Sequence, residues 1–141
     1  MAEGLKIEIV SPERLVLSET VVSVTVPGTE GYFTVMDDHA PFMTTLKPGF
    51  ITVTKSGGAA DVYFVKGGFA DVSTSGLTIL AEQSVPFTDF DHADLQAQIR
   101  AAEEELNRAA TPEDKSYAQE IVSALLNLAI EAGQINGGHV H

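Results

Sequence analysis

One histidine in this sequence follows two carboxylates directly, in the segment Asp37-Asp38-His39. Neighbouring carboxylates raise the pKa of a histidine and can orient its ring, as general acid–base catalysis requires. No nucleophile or set of metal ligands accompanies the group, so we favour a corner histidine that hydrogen-bonds within a turn or at an interface. A small-molecule enzyme or ligand-binding protein that uses His39 with Asp37 or Asp38 stays the alternative.

The remaining candidates for chemistry are weaker. The sequence has neither a phosphate-binding loop pattern nor a helical pattern of metal ligands. Asp89 and Asp91 could ligate a cation, but they precede a predicted helix and are better explained by capping. His139 and His141 could bind a metal weakly, although a solvated tail is the simpler interpretation. We therefore predict no catalytic residue, no metal site and no cofactor.

Composition excludes several classes of function. The chain has 141 residues, no cysteine and a formal net charge of −12 at pH 7. This charge opposes binding to nucleic acid and to anionic lipid, and the lack of cysteine excludes a disulfide scaffold. The sequence contains no signal-peptide pattern and no apolar run long enough to cross a bilayer. We expect a soluble, cytoplasmic protein whose membrane association comes through a partner.

Most of the unusual local chemistry lies in residues 26–41, VPGTEGYFTVMDDHAP. A proline–glycine pair and Gly31 predict a tight turn, a short strand follows, and Pro41 predicts a second corner. Strand alternation places either Tyr32 or Phe33 outward. An exposed aromatic side chain beside a rigid turn is typical of an interface anchor.

Up to about Val85 the sequence has the period of strands, as in residues 5–9, where apolar and charged residues alternate. Turn signals separate the candidate strands: Lys47-Pro48-Gly49, Ser56-Gly57-Gly58, Gly67-Gly68 and Ser75-Gly76. About eight to ten short strands with no helix between them predict an all-β sandwich. We expect antiparallel pairing, because parallel strands need long crossover connections.

After Pro86 the period becomes helical. A first amphipathic helix follows Asp91, with its apolar stripe at Leu95, Ile99, Ala102, Leu106 and Ala109. Asp91 and Asp94 resemble a capping box for it. Thr111 and Pro112 predict the N-cap and first residue of a second helix, which we expect to end near Ala132 because Gly133 follows.

The short connection between these helices predicts an antiparallel hairpin. The expected organisation is a β-sandwich over residues 1–86, a helical hairpin over 87–135 and a frayed tail over 136–141. Several positions of the apolar stripe are alanine, so the hairpin needs a surface on which to pack. A generic adaptor with the hairpin as its main docking surface is therefore a further alternative.

Four short motifs occur together in a fixed order: PG-x-EG, HAP, Lys47-Pro48-Gly49 and Gly67-Gly68-Phe69. In this order they resemble the epsilon subunit of bacterial F-type ATP synthases, over nearly the whole chain. The resemblance implies a non-catalytic subunit at the foot of the rotating central stalk, bound to the gamma subunit and to the membrane ring of c subunits. It also implies a peripheral position on the cytoplasmic face of the bacterial inner membrane, where the subunit couples proton flow to ATP synthesis.

By motif position, the resemblance assigns Glu30, Gly31 and Tyr32 to the side that meets the c ring. His39 corresponds to the side that meets the gamma subunit. These four residues are the predicted partner interface.

Two departures from the family pattern carry predictions. Many relatives have an arginine three residues after the aspartate that starts the first helix, and it contributes to ATP binding. Here Asp94 takes that position, so we expect no useful affinity for ATP. Relatives that inhibit hydrolysis use basic hairpin residues to meet the catalytic beta subunits, whereas from residue 87 onward this chain has three basic residues against ten acidic ones. We therefore expect the hairpin to inhibit weakly or not at all.

Overall fold

The computed structural model describes residues 4–37 and 39–138. The chain divides into two compact units, the first ending at Phe90 and the second beginning at Asp91. Among the described residues of the first unit there are eight strands. They are β1 (Leu5–Ser11), β2 (Arg14–Val21), β3 (Ser23–Gly28), β4 (Gly31–Met36), β5 (Phe42–Thr45), β6 (Gly49–Thr54), β7 (Ala60–Ser73) and β8 (Gly76–Pro86).

These strands form one continuous sheet in the order β2-β1-β8-β7-β6-β3-β4, with β5 also paired to β7. The sheet folds into two layers because its longest strand changes partner along its length. Residues 60–65 of β7 pair with β6, whereas residues 69–72 pair with β5. The predicted β-sandwich is therefore confirmed.

The change of partner occurs at Gly67 and Gly68, which have φ angles of +75° and +100°. L residues with side chains rarely adopt such angles, and a Cβ at Gly68 would lie 1.8 Å from the Leu80 carbonyl oxygen. We expected this glycine pair to form a turn between two strands. It instead bends a single strand, because positive-φ glycines permit a change of direction without ending the ladder.

One pairing differs from the antiparallel expectation. Residues 7–10 of β1 pair with residues 77–80 of β8 in the parallel orientation. The connection between the two strands consists of the other six strands, so the long crossover that a parallel pair needs is the rest of the sandwich. Parallel strands are usually recognised in a sequence by the helical crossover between them. This pair has no such helix among the described residues, so the sequence pattern does not predict it.

The core of the sandwich consists of aliphatic side chains that alternate along the strands. Its most deeply buried large members are Leu5, Ile7, Ile9, Val24, Val26, Ile51, Val53, Val65, Leu77 and Ile79. Strand β2, which the sequence analysis did not identify, lies at one end of the sheet order and is less regular. Its Leu15 is 56% exposed, and this incomplete burial weakens the alternation by which strands are recognised.

Four phenylalanines form a second apolar cluster at the end of the first unit. The Phe90 ring centre lies 4.9 Å from that of Phe64 and 5.3 Å from that of Phe50, and the Phe87 ring centre lies 5.5 Å from that of Phe50. Edge-to-face and tilted contacts of this kind add to the energy of burial. The cluster ties the segment after β8 to the sandwich, so the division between units falls after Phe90 rather than after Pro86.

The second unit contains the helices α1 (His92–Arg108) and α2 (Pro112–Gly138), which pack against each other across a three-residue connection. The Asp91 carboxylate accepts a hydrogen bond from the Asp94 backbone N–H at 2.8 Å. The Thr111 hydroxyl accepts one from the Asp114 N–H at 3.1 Å. Both predicted N-caps are present, and Pro112 is the first helical residue.

Two details of the helical unit differ from expectation. The Asp94 carboxylate accepts a hydrogen bond from Gln98 Nε2 at 2.6 Å. The hydrogen bond of the predicted capping box is therefore the one that the Asp91 carboxylate accepts. Helix α2 continues through Gly133 to Gly138, because glycine in a helix costs only about 1 kcal/mol and ends the helix only in a left-handed conformation. Residues 139–141 of the expected tail, with His139 and His141, lie outside the described residues. No helix in the described part is long and apolar enough to span a membrane.

Candidate partner interface

The tight turn between β3 and β4 presents Glu30. Gly28 pairs with Gly31 across the turn, and Gly31 has a φ of +126°. The preceding residue, Thr29, donates its backbone N–H to the Thr45 carbonyl at 3.1 Å, and its hydroxyl also contacts Thr45. The turn is therefore fixed to β5 by backbone groups, and the Glu30 carboxylate lies on a rigid support.

Tyr32 lies next to this turn and is 41% exposed. Its hydroxyl accepts a hydrogen bond from the Phe50 backbone N–H at 3.1 Å. A Cβ at Gly49 would lie 2.6 Å from the same hydroxyl oxygen and 2.8 Å from the Pro27 Cβ, so Gly49 leaves the room that Tyr32 occupies. The Lys47 ammonium lies 6.0 Å from the Tyr32 ring centre, at the outer limit of a cation–π contact.

We call Glu30, Gly31, Tyr32 and Lys47 the turn surface. It offers one carboxylate, one ammonium group and a half-exposed aromatic ring that is fixed at its far end. A rigid aromatic side chain with polar neighbours is the type of residue that dominates the energy of many protein interfaces. The structure therefore brings Glu30, Gly31 and Tyr32 together, and it adds Lys47, which the sequence analysis named only as part of a turn motif.

His39 lies in the corner that connects β4 to β5. Its Nδ1 is 2.5 Å from the Met36 carbonyl oxygen, and its Nε2 is within hydrogen-bond distance of the Ser73 carbonyl oxygen. The first carbonyl ends β4 and the second ends β7, so the ring connects the ends of two strands. Asp37 is exposed, and Asp38 lies outside the described residues.

This geometry favours a structural role for His39 over acid–base catalysis. Both ring nitrogens contact backbone carbonyl oxygens, whereas a general base needs one nitrogen that can reach a substrate proton. Within residues 4–37 and 39–138, no group of three or more His, Cys, Asp or Glu side chains is placed to hold a metal ion.

Three large apolar side chains around His39 are exposed to solvent. Met36 is 54% exposed, Phe42 52% and Met43 61%. The Phe42 ring contacts Phe33 edge-on, with ring centres 5.5 Å apart, and this contact fixes its position. We call Met36, His39, Phe42 and Met43 the corner surface. An exposed apolar cluster is a frequent mark of a protein-binding site, and methionine is enriched at such sites.

Sequence pattern does not predict the exposure of Met36, Phe42 and Met43. An apolar residue that flanks a polar corner is as compatible with a buried strand end as with an exposed one. The only signal in the sequence was their number, because three large apolar residues occur within eight positions.

The turn surface and the corner surface lie at opposite ends of one strand. Gly31 starts β4 and Met36 ends it, six residues in all. At the usual rise of ~3.3 Å per residue, the two ends are about 17 Å apart. The two surfaces are therefore separate, and one partner on each is sterically possible.

An ionic cluster lies elsewhere on the sandwich. The Lys55 ammonium is 2.7 Å from the Asp61 carboxylate and 3.3 Å from the Glu19 carboxylate. Hydrogen bonds to Asp61 and then to Glu19 raise the pKa of Lys55 above its usual value. Burial, with a smaller contribution from Asp61, raises the pKa of the neighbouring Tyr63. The cluster joins β2 to β7 through Lys55, which directly follows β6, and we assign it a structural role.

Comparison with known proteins shows the class to which the protein belongs. A sequence profile of the β-sandwich domain of ATP synthase delta/epsilon chains matches residues 4–87, the part that forms the sandwich. The chain belongs to this family. Within the family it is similar to proteins named ATP synthase epsilon chain: it is 48% identical to the one from Mesorhizobium japonicum over 128 residues, which are 91% of this chain and 95% of the relative.

Other relatives and solved structures agree. The epsilon chains of Rhizobium etli and Brucella anthropi are 46% and 42% identical over the same shares of both chains. A chain in the cryo-EM structure of the Euglena gracilis mitochondrial ATP synthase, with OSCP, F1 and c ring, matches with a TM-score of 0.70 at 22% identity. That match covers 99% of this chain and 82% of the other, and at this identity it shows a shared fold.

Proposed function

We propose that this chain is a non-catalytic subunit of the central stalk of an F-type ATP synthase, where it joins the gamma subunit to the c ring and couples proton flow to ATP synthesis. Family membership over nearly the whole chain carries the proposal. The two separate surfaces on β4 support it, because a connecting subunit needs two binding surfaces that partners can occupy at the same time. In this role the chain is a peripheral protein on the cytoplasmic face of the bacterial inner membrane, held there by its partners.

We assign the turn surface to the c ring. Glu30 and Lys47 provide opposite charges beside the fixed ring of Tyr32, a combination suited to the polar loops of a membrane ring. The support from the backbone of β5 and β6 keeps this surface from changing shape under load. Rigid contacts of this kind transmit torque without loss of alignment.

The corner surface is assigned to the gamma subunit. Its exposed Met36, Phe42 and Met43 would bury apolar area against a soluble partner. The chain carries a net charge of −12, so a partner with a basic rim around an apolar centre fits best.

The helical hairpin contacts the catalytic beta subunits weakly or not at all in this proposal. From residue 87 onward it carries Arg100, Arg108 and Lys115 against ten acidic residues, and Arg108 is already paired with Glu105 at 2.5 Å. A hairpin with this charge does not bind an acidic segment of a partner. A large rise in the ATP hydrolysis rate of the assembled complex after removal of residues 91–141 would contradict this assignment.

We also predict that the isolated chain does not bind ATP usefully. Asp91 and Asp94 stand together at the start of α1, where a second carboxylate repels a triphosphate. Isothermal titration with ATP measures this directly, and Asp94→Arg is the comparison variant because it restores the residue that many relatives have there. Micromolar affinity of the unchanged chain would contradict the prediction.

The first test of the function is an affinity purification of the tagged chain from detergent-solubilised membranes. We expect it to co-purify with a complex that hydrolyses ATP, at about one copy per complex. Recovery of the chain alone, from the soluble fraction, would overturn the proposal. Met43→Asp should weaken the association, whereas Leu15→Asp is the matched control, since Leu15 is similarly exposed but lies on β2.

Cross-linking separates the two assignments. The chain contains no cysteine, so a single cysteine can be introduced without background. With a thiol-linked photo-cross-linker in native membranes, we expect Glu30→Cys to capture the c subunit and Met43→Cys to capture the gamma subunit. Leu15→Cys should capture neither. If both surface variants captured the same subunit, the assignment of the two ends of β4 would be wrong.

A further inference from the structure

The contacts of His39 require more donated hydrogens than a neutral histidine has. Nδ1 faces the Met36 carbonyl and Nε2 faces the Ser73 carbonyl. A carbonyl oxygen only accepts hydrogen bonds, and a neutral imidazole carries a single N–H. In the neutral ring, one nitrogen lone pair would therefore face a carbonyl lone pair, which is repulsive.

The charges around the corner also favour protonation of His39. Asp37 and Asp38 precede the histidine, and Asp71 lies on β7 two residues before Ser73. Strands β3, β4 and β5 carry no charged residue, and neither Lys nor Arg occurs between residues 15 and 46. The exposed carboxylate of Asp37 and the partly exposed one of Asp71 favour a cation in the corner. On β1, the backbone of the basic residue Lys6 lies against Gly76 at the start of β8.

We infer that His39 is doubly protonated at neutral pH, and that this imidazolium holds the corner surface in the shape that its partner binds. With both nitrogens protonated, the ring donates one hydrogen bond to the end of β4 and one to the end of β7. Loss of one proton to solvent leaves a single donor, so one of the two strand ends is released. Met36, whose carbonyl oxygen ends β4, then loses its fixed position beside the histidine.

The consequence for binding rests on the proposed function. If the corner binds its partner only in the protonated form, the apparent affinity equals the intrinsic affinity multiplied by the fraction of chains that are protonated. Above the midpoint of its titration, the protonated fraction of a histidine falls about tenfold for each pH unit. Association through the corner surface should therefore weaken about tenfold from pH 6.5 to pH 8.5.

The decisive experiment is an NMR titration of the full chain, with the imidazole nitrogen shifts recorded from pH 5 to pH 9. His39→Gln identifies the His39 signals among those of the four histidines. We expect both His39 nitrogens to have imidazolium shifts at pH 7, with a midpoint above the reference value of about 6.5. A midpoint at or below 6.5, or a single neutral tautomer at pH 7, would overturn the inference.

A binding measurement then tests the consequence. ATP synthase stripped of this subunit is titrated with the chain at pH 6.5 and pH 8.5. We expect the unchanged chain to lose about tenfold in affinity, and His39→Gln to bind weakly at both pH values with no change between them. An equal pH dependence for both chains would overturn the regulatory consequence. If neither chain binds at any pH, the proposed function fails, while the NMR midpoint still decides the state of His39.

Discussion

The two ends of β4 are stabilised by different groups. At the turn surface, the backbone of Thr29 bonds to β5, and Tyr32 is fixed through the Phe50 backbone N–H. At the corner surface, one side chain, that of His39, makes both connections between strand ends. The turn therefore depends on the space that its glycines leave, whereas the corner depends on one ionisable group. Changes in shape, charge and pH should therefore affect the two ends unequally.

The largest effect is expected at the turn surface, from Gly49→Val. Its Cβ would lie 2.6 Å from the Tyr32 hydroxyl and 2.8 Å from the Pro27 Cβ, and Pro27 is fully buried. Overpacking of this kind costs about 1–3 kcal/mol. Urea unfolding followed by near-UV circular dichroism measures the loss. The control is Gly133→Ala in α2, where an added Cβ has no heavy atom within 4 Å; an equal loss in both variants would show that the space at Gly49 is not limiting.

His39→Ala should destabilise the sandwich by a smaller amount. It removes two hydrogen bonds to backbone carbonyls, each worth roughly 1–1.5 kcal/mol, at a partly exposed position where water replaces part of the loss. Hydrogen exchange should rise at the ends of β4 and β7 and stay unchanged at the turn surface. Faster exchange around Tyr32 would mean that the two ends are coupled rather than independent.

A still smaller effect is expected for Tyr32→Phe, which removes the acceptor of the Phe50 N–H but keeps the ring. We expect a loss of about 0.5–1.5 kcal/mol in the free energy of unfolding. If the ring is the anchor for the partner, Tyr32→Phe should bind the stripped complex nearly as well as the unchanged chain. Tyr32→Ala, by comparison, should bind poorly. Equal binding by both variants would remove the anchor role from Tyr32.

The smallest change in stability is expected for the ionic cluster of Lys55, Asp61 and Glu19. This cluster belongs to neither surface, so its pH dependence is a reference for that of the two ends of β4. The raised pKa of Lys55 means that its ion pairs contribute stability below the unfolded pKa of about 10.4, and that this contribution is lost as pH rises through the folded pKa. The raised pKa of Tyr63 acts in the same direction. Urea unfolding from pH 8 to pH 11 should therefore show stability falling at the alkaline end.

Substitution of Lys55 isolates its contribution to the loss of stability at alkaline pH. The stability difference between the unchanged chain and Lys55→Met should be present at pH 8 and shrink above pH 10. Lys66→Met, at an exposed lysine on β7, is the control. A difference that stayed constant to pH 11 would show that the ion pairs of Lys55 do not contribute measurably, as is common for exposed pairs.

Much of the fold could be predicted from local pattern. Alternation in residues 5–9 and the helical stripe from Leu95 to Ala109 predicted their elements, because each pattern is set within one strand or helix. Both N-caps were predicted for the same reason, since Asp91 and Thr111 bond to groups three residues away. The glycine pair Gly67 and Gly68 is predicted as a turn but forms a bend. Glycine in a sequence indicates only that φ can be positive, and it does not indicate which strand the following residues pair with.

The candidate site could be predicted only in part. The sequence indicated Glu30, Gly31, Tyr32 and His39, through turn chemistry and resemblance. Their roles as partner contacts stay predictions. The exposure of Met36, Phe42 and Met43 was missed, because exposure depends on which strands lie beside them in the sandwich and not on their own residue types.

The periods of the strands and helices, the helix caps, the acidic charge and the family can all be recognised in the amino-acid sequence. These properties depend on residue types and on contacts within a few positions. The tertiary structure alone decided which groups meet: Tyr32 with the backbone of Phe50, 18 residues away, and His39 with that of Ser73, 34 residues away. Such contacts form only when burial of the apolar faces brings distant strands into register, so the protonation that we infer for His39 is a property of the fold.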